Sequence, residues 1–318
     1  MTASEPLPWT QHLLRVRDLD PVGGRNPFLA RALKGEFVRV VRGIYVRADV
    51  WSQLDRHARY RATVRAAALA ADHDQVFSHQ SAAALWRLPW VGQWPTRVHV
   101  LTEPAAGGRS NGFTFRHGVG VPDDVEVIDG LSVTSLARTV VDLSATASFG
   151  QAVTTADAAL RRTAHPRGDV PRTFLSRDEL LGELRRIPLQ HGQKKAERVI
   201  MFANGAADRP GESMSRVSMH QAGITAPQLQ VPIAGASGRV YIVDFWWPEF
   251  NVIGEFDGDF KYTDPEFLRG RTPHQVLLDE KDREDDLRAT GRGMSRWKWA
   301  LAVSPQRLRE HLHRAGVH

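Results

Sequence analysis

Apolar positions run together most strongly between residues 239 and 262, which read Arg-Val-Tyr-Ile-Val-Asp-Phe-Trp-Trp-Pro-Glu-Phe-Asn-Val-Ile-Gly-Glu-Phe-Asp-Gly-Asp-Phe-Lys-Tyr. β-Branched and aromatic residues fill two runs, 240–247 and 250–256, and Pro248-Glu249 between them is turn-like, so the pattern predicts two strands. Phe37 to Arg47 reads as two further strands around Arg42-Gly43, and residues 97–101, 113–117 and 132–134 alternate like short ones. A last strand is expected over 296–303. Helical spacing predicts helices over 27–33, 59–71, 79–86, 135–143, 151–162, 177–187, 194–203, 212–221 and 276–290, with a final one after Ser304-Pro305. Asn26 would cap the first of these with Pro27 in its first turn and Gly35 as its stop. Ser78, Thr134 or Ser135, and Ser176 would cap three later ones.

The acids set into the two main strands change the picture. Asp244 interrupts the first run; Glu255 and Asp257 close the second. A carboxylate in a sheet core is costly unless it is paired, solvated at a strand end or bound to metal. Alternation along a strand places Glu255, Asp257, Asp259 and Lys261 on one face for as long as the strand lasts, and a hairpin would bring Asp244 beside them. Glu212, in the first turn of its helix, is favoured there by the helix dipole alone, and gains interest only from the acids that follow. Asp244 and Glu255 suit direct ligation of Mg²⁺ or Mn²⁺, with Glu212 holding a metal-bound water, because such hard ions take few carboxylates and keep their waters. The competing reading is a sheet-edge cluster of acids paired with Arg239, Lys261 and helix arginines.

Composition narrows the class of protein. The 318 residues suffice for two or three domains, and 42% hydrophobic with 25% charged is ordinary for a globular chain. The net charge of +6 and pI near 9.9 permit a polyanionic partner. With no cysteine there is neither a disulfide framework nor thiolate chemistry, which fits a reducing cytoplasm. The first residues lack the pattern of an export signal and no apolar run is long enough to span a bilayer, so a cytoplasmic location without membrane association is expected. Arg31, Lys34, Arg39, Arg42 and Arg47 cluster with Glu36 as their one acid. A short helix followed by a basic hairpin is how a winged helix ends, the hairpin riding on phosphate backbone; a solvated basic hairpin would look the same. His79, His99 and His117 lack ligand-like spacing and read as core or surface histidines.

Two resemblances organise these features. Residues 37–46, then Ser-His-Gln-Ser-Ala-Ala-Ala-Leu-Trp-Arg-Leu-Pro at 78–89, Val-His-Val at 98–100, and Asp-Gly-Leu-Ser-Val-Thr-Ser-Leu-Ala-Arg-Thr-Val-Val-Asp-Leu at 129–143 resemble the AbiEi family, antitoxin-type regulators of abortive-infection toxin–antitoxin systems. The likeness covers roughly residues 27–162. It implies an N-terminal winged helix on operator DNA, a middle domain of structural or regulatory role, and a cognate toxin as partner. Residues 19–26 are too irregular to supply the helices that precede the wing in that family, so a truncated winged helix is expected.

In the last third, the order helix, three strands with acids, helix, strand, helix resembles the PD-(D/E)xK nuclease fold, and most nearly the very-short-patch-repair (Vsr) endonuclease-like proteins. Asp-Phe-Trp-Trp-Pro at 244–248, Val-Ile-Gly-Glu-Phe-Asp-Gly at 252–258, and Lys-Asp-Arg-Glu-Asp-Asp-Leu-Arg at 281–288 carry it. It implies phosphodiester hydrolysis with Glu212, Asp244, Glu255, Asp257 and Lys261 as the site. The sequence departs from Glu-x-Lys, since Asp257 stands where the lysine would; the cation then falls to Lys261, Lys281 or Arg283, or turnover has been lost. The expected organisation is an α+β front, made of a truncated winged helix (1–56) and an AbiEi-like domain (57–165), then a helical linker (166–208) and an α/β nuclease-like domain (209–318). Two functions follow: a Mg²⁺-dependent DNA endonuclease, or a DNA-binding antitoxin-type regulator that keeps a degenerate nuclease fold.

Overall fold

The computed structural model describes residues 11–20, 24–104, 112–164, 175–187, 189, 191–258 and 272–318. The chain divides into two compact units, 1–202 and 203–318. Both mix helices with sheet.

The first unit begins with a three-stranded antiparallel sheet in the order β1-β3-β2, built from β1 (Leu14–Arg15), β2 (Phe37–Val41) and β3 (Ile44–Arg47). Helix α1 (Arg25–Leu33) lies beside it, with Phe28 against Phe37 and Tyr45. The helix starts two residues ahead of Pro27, and Gly24 takes the capping position expected of Asn26. Proline is tolerated there because the first-turn N–H groups have no partner within the helix. The hairpin turns at Gly43 (φ +83°), and Val41 and Ile44 pack on Ala66 of α3 (Arg56–Ala70) beyond the short α2 (Ala48–Gln53).

A five-stranded sheet follows in the order β6-β5-β4-β8-β7, formed by β4 (Val76–Phe77), β5 (Val98–Leu101), β6 (Thr114–His117), β7 (Val125–Ile128) and β8 (Leu131–Thr134), with α4 (His79–Leu85) after β4. Pairs β5·β6 and β4·β8 are parallel, the others antiparallel. Fully buried Trp86 donates to the Thr134 carbonyl and ties α4 to β8. Among the described residues, the unit continues with four helices: α5 (Leu136–Thr146), α6 (Phe149–Ala164), α7 (Arg177–Arg186) and α8 (Gln193–Phe202). α7 and α8 pack on α5 and on each other, so the helices expected as a linker belong to this layer.

The second unit runs α9 (Pro210–Ala222), β9 (Gln228–Ala234), β10 (Val240–Trp247), β11 (Val252–Phe256), α10 (Pro273–Arg288), β12 (Gly293–Trp297), α11 (Trp299–Ala302) and α12 (Pro305–Arg314). Its sheet has the order β12-β11-β10-β9, with β11 and β12 parallel and the rest antiparallel. A parallel pair needs a crossover, and α10 lies in it. The last strand lies earlier than its sequence suggests, at 293–297 rather than 296–303. Its ladder matches Val252–Phe256 residue for residue, so at Trp297 the partner ends and the chain turns into α11 rather than continuing to 303. Two apolar clusters cover the sheet. One gathers Met219, Phe245, Trp247, Phe256, Trp297 and Leu308; the other gathers Ile233, Val243, Ile253 and Leu287.

Residues two apart on a strand share a face. Yet Val243 packs in one cluster and Phe245 in the other, so β10 turns over at Asp244. The β9–β10 ladder pairs Val243 with Val231 and Phe245 with Leu229 but skips Asp244 and Gln230, and Gln230 has φ +51°. Among the described residues no helix is long and apolar enough to cross a membrane.

Candidate active site of the second unit

The skipped rung at Asp244 is where the acids meet. β10 and β11 pair only from Trp247↔Val252 to Phe245↔Gly254, and beyond that the two strands part. The Asp244 carboxylate takes the place of the missing ladder partner: Phe256 N–H donates to Asp244 Oδ2 at 2.9 Å. β11 stays attached to β12, with Asp257 N–H on the Trp297 carbonyl.

Glu212 comes to the same place from α9. Its helix lies against β11, where buried Gly211 meets the Phe256 ring. The buried Glu212 accepts from Asp208 N–H at 2.8 Å and from Gln230 Nε2 at 3.0 Å, both on Oε2. The same Gln230 nitrogen donates to Asp244 Oδ1 at 3.2 Å. One amide therefore holds two carboxylates from two elements. Burial, then the Asp244 charge beside it, pushes the Glu212 carboxyl up from its ordinary value.

Glu255 is buried and faces α10. Arg283 Nη2 donates to its Oε1 at 2.8 Å and to the Ile242 carbonyl at 2.6 Å. Of the two helix cations open from sequence, Arg283 reaches Glu255, whereas Lys281 is exposed. The shared face expected for Glu255, Asp257, Asp259 and Lys261 does not extend that far, because β11 ends at Phe256 and Asp257 lies past it. Asp259 and Lys261 lie outside the described residues.

The chemistry of the Glu212–Asp244 pair fits one hard cation: two oxygen donors whose mutual repulsion a divalent ion relieves. Glu255 is engaged by Arg283 instead. Among the described residues no group of three or more His, Cys, Asp or Glu side chains is placed to hold a metal, so the three-carboxylate set is not assembled.

In the first unit, Arg31 is paired with Glu36 and Arg47 with Asp49. Lys34, Arg39 and Arg42 are exposed and make no ion pair or side-chain hydrogen bond among the described residues. The three histidines, separate in sequence, meet in its core. His79 and His117 stack with centroids 3.7 Å apart, and His99 Nδ1 lies 3.0 Å from His117 Nε2. His79 Nδ1 bonds Ser78 Oγ at 3.0 Å and lies 3.8 Å from Asp142 Oδ2; Arg138 holds the other Asp142 oxygen at 2.9 Å. Ring-nitrogen lone pairs lie in the ring plane, so two stacked rings do not converge on one ion.

Burial pushes His99 and His117 down to about 4, and His79 well below its ordinary value. Between the unfolded value near 6.5 and about 4, the unfolded chain binds more protons, so stability is full above 6.5 and falls as pH drops toward 4. Asp142, pushed up to about 6 by burial, acts in the opposite sense, but one carboxyl opposes three imidazoles. The melting temperature of the first unit is expected to fall across that window, and His117→Gln to flatten the fall; calorimetry at stepped pH checks both.

No family model matches the chain. Two proteins of Mycobacterium tuberculosis carrying the name "uncharacterized", from strains CDC 1551 / Oshkosh and ATCC 25618 / H37Rv, are each 30% identical over 176 residues. That stretch is 55% of this chain and 60% of theirs, so the chain spans about three-fifths of the relatives it matches. Sequence reasoning missed Gln230, since a glutamine in a strand carries no local signal. It named the three histidines without placing them together.

Proposed function

We propose that the second unit is a Mg²⁺- or Mn²⁺-dependent DNA endonuclease of the PD-(D/E)xK kind, and that the basic hairpin of the first unit brings DNA to it. The observation that carries the reading is the pairing of buried Glu212 with half-buried Asp244, held on one amide at the fork of β10 and β11 in a four-stranded mixed sheet. Glu212 and Asp244 would hold the ion, which supplies polarisation of the scissile phosphate and a water of lowered pKa. Arg283 is the cation that Asp257 is not: it pairs with Glu255, and in this reading it would favour the negative charge that builds on the phosphoryl oxygens. Cleavage of supercoiled plasmid with Mg²⁺ or Mn²⁺, compared between the wild type and site variants, tests it.

A second reading is a DNA-binding regulator of antitoxin type, acting with a cognate toxin and without turnover. The Arg283–Glu255 pair favours it, because an engaged Glu255 leaves two acids for the ion. An intact, ion-binding protein that leaves DNA uncut would select this second reading.

Both readings use the hairpin. Exposed arginines on a wing contact phosphates without reading sequence. Arg39→Ala with Arg42→Ala is expected to weaken duplex binding uniformly across sequences and to reduce the salt slope by about 1 per lost contact. Fluorescence anisotropy at several salt concentrations checks this, and unchanged binding would remove the hairpin from the interface.

A further inference from the structure

We infer that Gln230 is the positioning residue of the ion site: its amide sets the facing geometry of Glu212 and Asp244. The inference rests on the proposed ion site and goes one step past it. Each carboxylate is anchored by a backbone N–H of its own, Glu212 by Asp208 and Asp244 by Phe256, but neither of those bonds sets one acid relative to the other. What joins them is Gln230 Nε2, 3.0 Å from Glu212 Oε2 and 3.2 Å from Asp244 Oδ1. An amide nitrogen carries two donors and no charge, so it can align two carboxylates without competing as a cation would.

The backbone at Gln230 supports a positional demand. Its φ of +51° is the left-handed region, where a long side chain is strained and glycine would sit at lower cost. The strain falls at the rung the β9–β10 ladder skips, opposite Asp244. Glutamine thus occupies a conformation that suits it poorly, with its side chain spent on the two acids. Groups that orient metal-binding carboxylates typically change ion affinity about 10–100-fold when removed.

The test uses the full chain and Mn²⁺. Gln230→Met keeps the side-chain length and the strained backbone but removes the donors; Gln230→Gly removes the side chain and relieves the strain. Isothermal titration with Mn²⁺ and the Mn²⁺-induced rise in melting temperature, each relative to the variant's own ion-free protein, are measured beside the wild type and Asp244→Ala. A residue that merely supports the fold changes the ion-free melting temperature and leaves the induced rise alone. The expected result is binding by the wild type, none by Asp244→Ala, and binding about 10–100-fold weaker by both Gln230 variants. Binding within twofold of wild type in both Gln230 variants overturns the inference and leaves the ion site standing. A folded wild type that takes up no Mn²⁺ overturns the ion site and this inference with it.

Discussion

Asp244→Ala is expected to lower metal-dependent DNA cleavage by about 10²–10³-fold, the usual scale for removing one charge-stabilising group from an active site. It should also loosen the second unit. Asp244 Oδ2 is the acceptor for Phe256 N–H past the point where the β10–β11 ladder ends, at Phe245↔Gly254. Leaving that N–H unsatisfied costs about 1–3 kcal/mol. Asp244→Asn separates the two effects. It keeps an acceptor oxygen for Phe256 N–H but turns an amide NH₂ toward the Gln230 amide, so it is expected to melt above the alanine variant while cutting as poorly. Single-turnover cleavage and a thermal melt on both variants check this. An asparagine variant that cuts at the wild-type rate would show that Asp244 serves only the strand fork.

Gly211→Ala is expected to destabilise the second unit by about 1–3 kcal/mol, without altering any charged group. A Cβ at Gly211 would overlap the Phe256 ring, and that ring is buried in a cluster with Met219, Phe245, Trp247 and Trp297. Such a ring gives way only by moving the aromatic layer or the helix. If α9 moves, Glu212, the next residue, leaves the reach of Gln230. The variant should therefore melt lower, by roughly 5–15 °C for a unit of this size, and lose Mn²⁺ binding as well. A melt by circular dichroism and an Mn²⁺ titration below the melting temperature check both. An unchanged melt would mean the α9–β11 contact is slack and does not set the position of Glu212.

How much of this was legible beforehand depended on whether the signal was local. The runs 240–247 and 250–256 carried enough β-branched and aromatic residues to mark β10 and β11, and the cap Ser176 fixed its helix start, whereas the helix expected from 276 begins at Pro273 behind the unread cap Thr272. β4 is two residues long and has no period to read. β7 went unread although Asp129-Gly130, both at positive φ, is the dipeptide that favours a tight hairpin. In the candidate site, Asp244 and Glu255 stood out as acids in apolar runs, and Glu212 gained interest only from them. Their grouping did not follow from alternation, because alternation assumes an unbroken strand and β10 turns over at Asp244 while β11 stops at Phe256. The pairing of Arg283 with Glu255 and the bridge through Gln230 are tertiary contacts between residues 28 and 14 to 18 positions apart, and no local pattern encodes them.

The central claim is that this chain hydrolyses DNA with a divalent ion held by Glu212 and Asp244. Supercoiled plasmid incubated with the purified full chain in Mg²⁺ or Mn²⁺, with and without EDTA, alongside Glu212→Gln and Asp244→Asn, tests it most directly. The account predicts nicked and linear plasmid with the wild type in either ion, none in EDTA, and none with either variant. Plasmid left intact by the folded wild type in both ions, or cut equally by both variants, would contradict it.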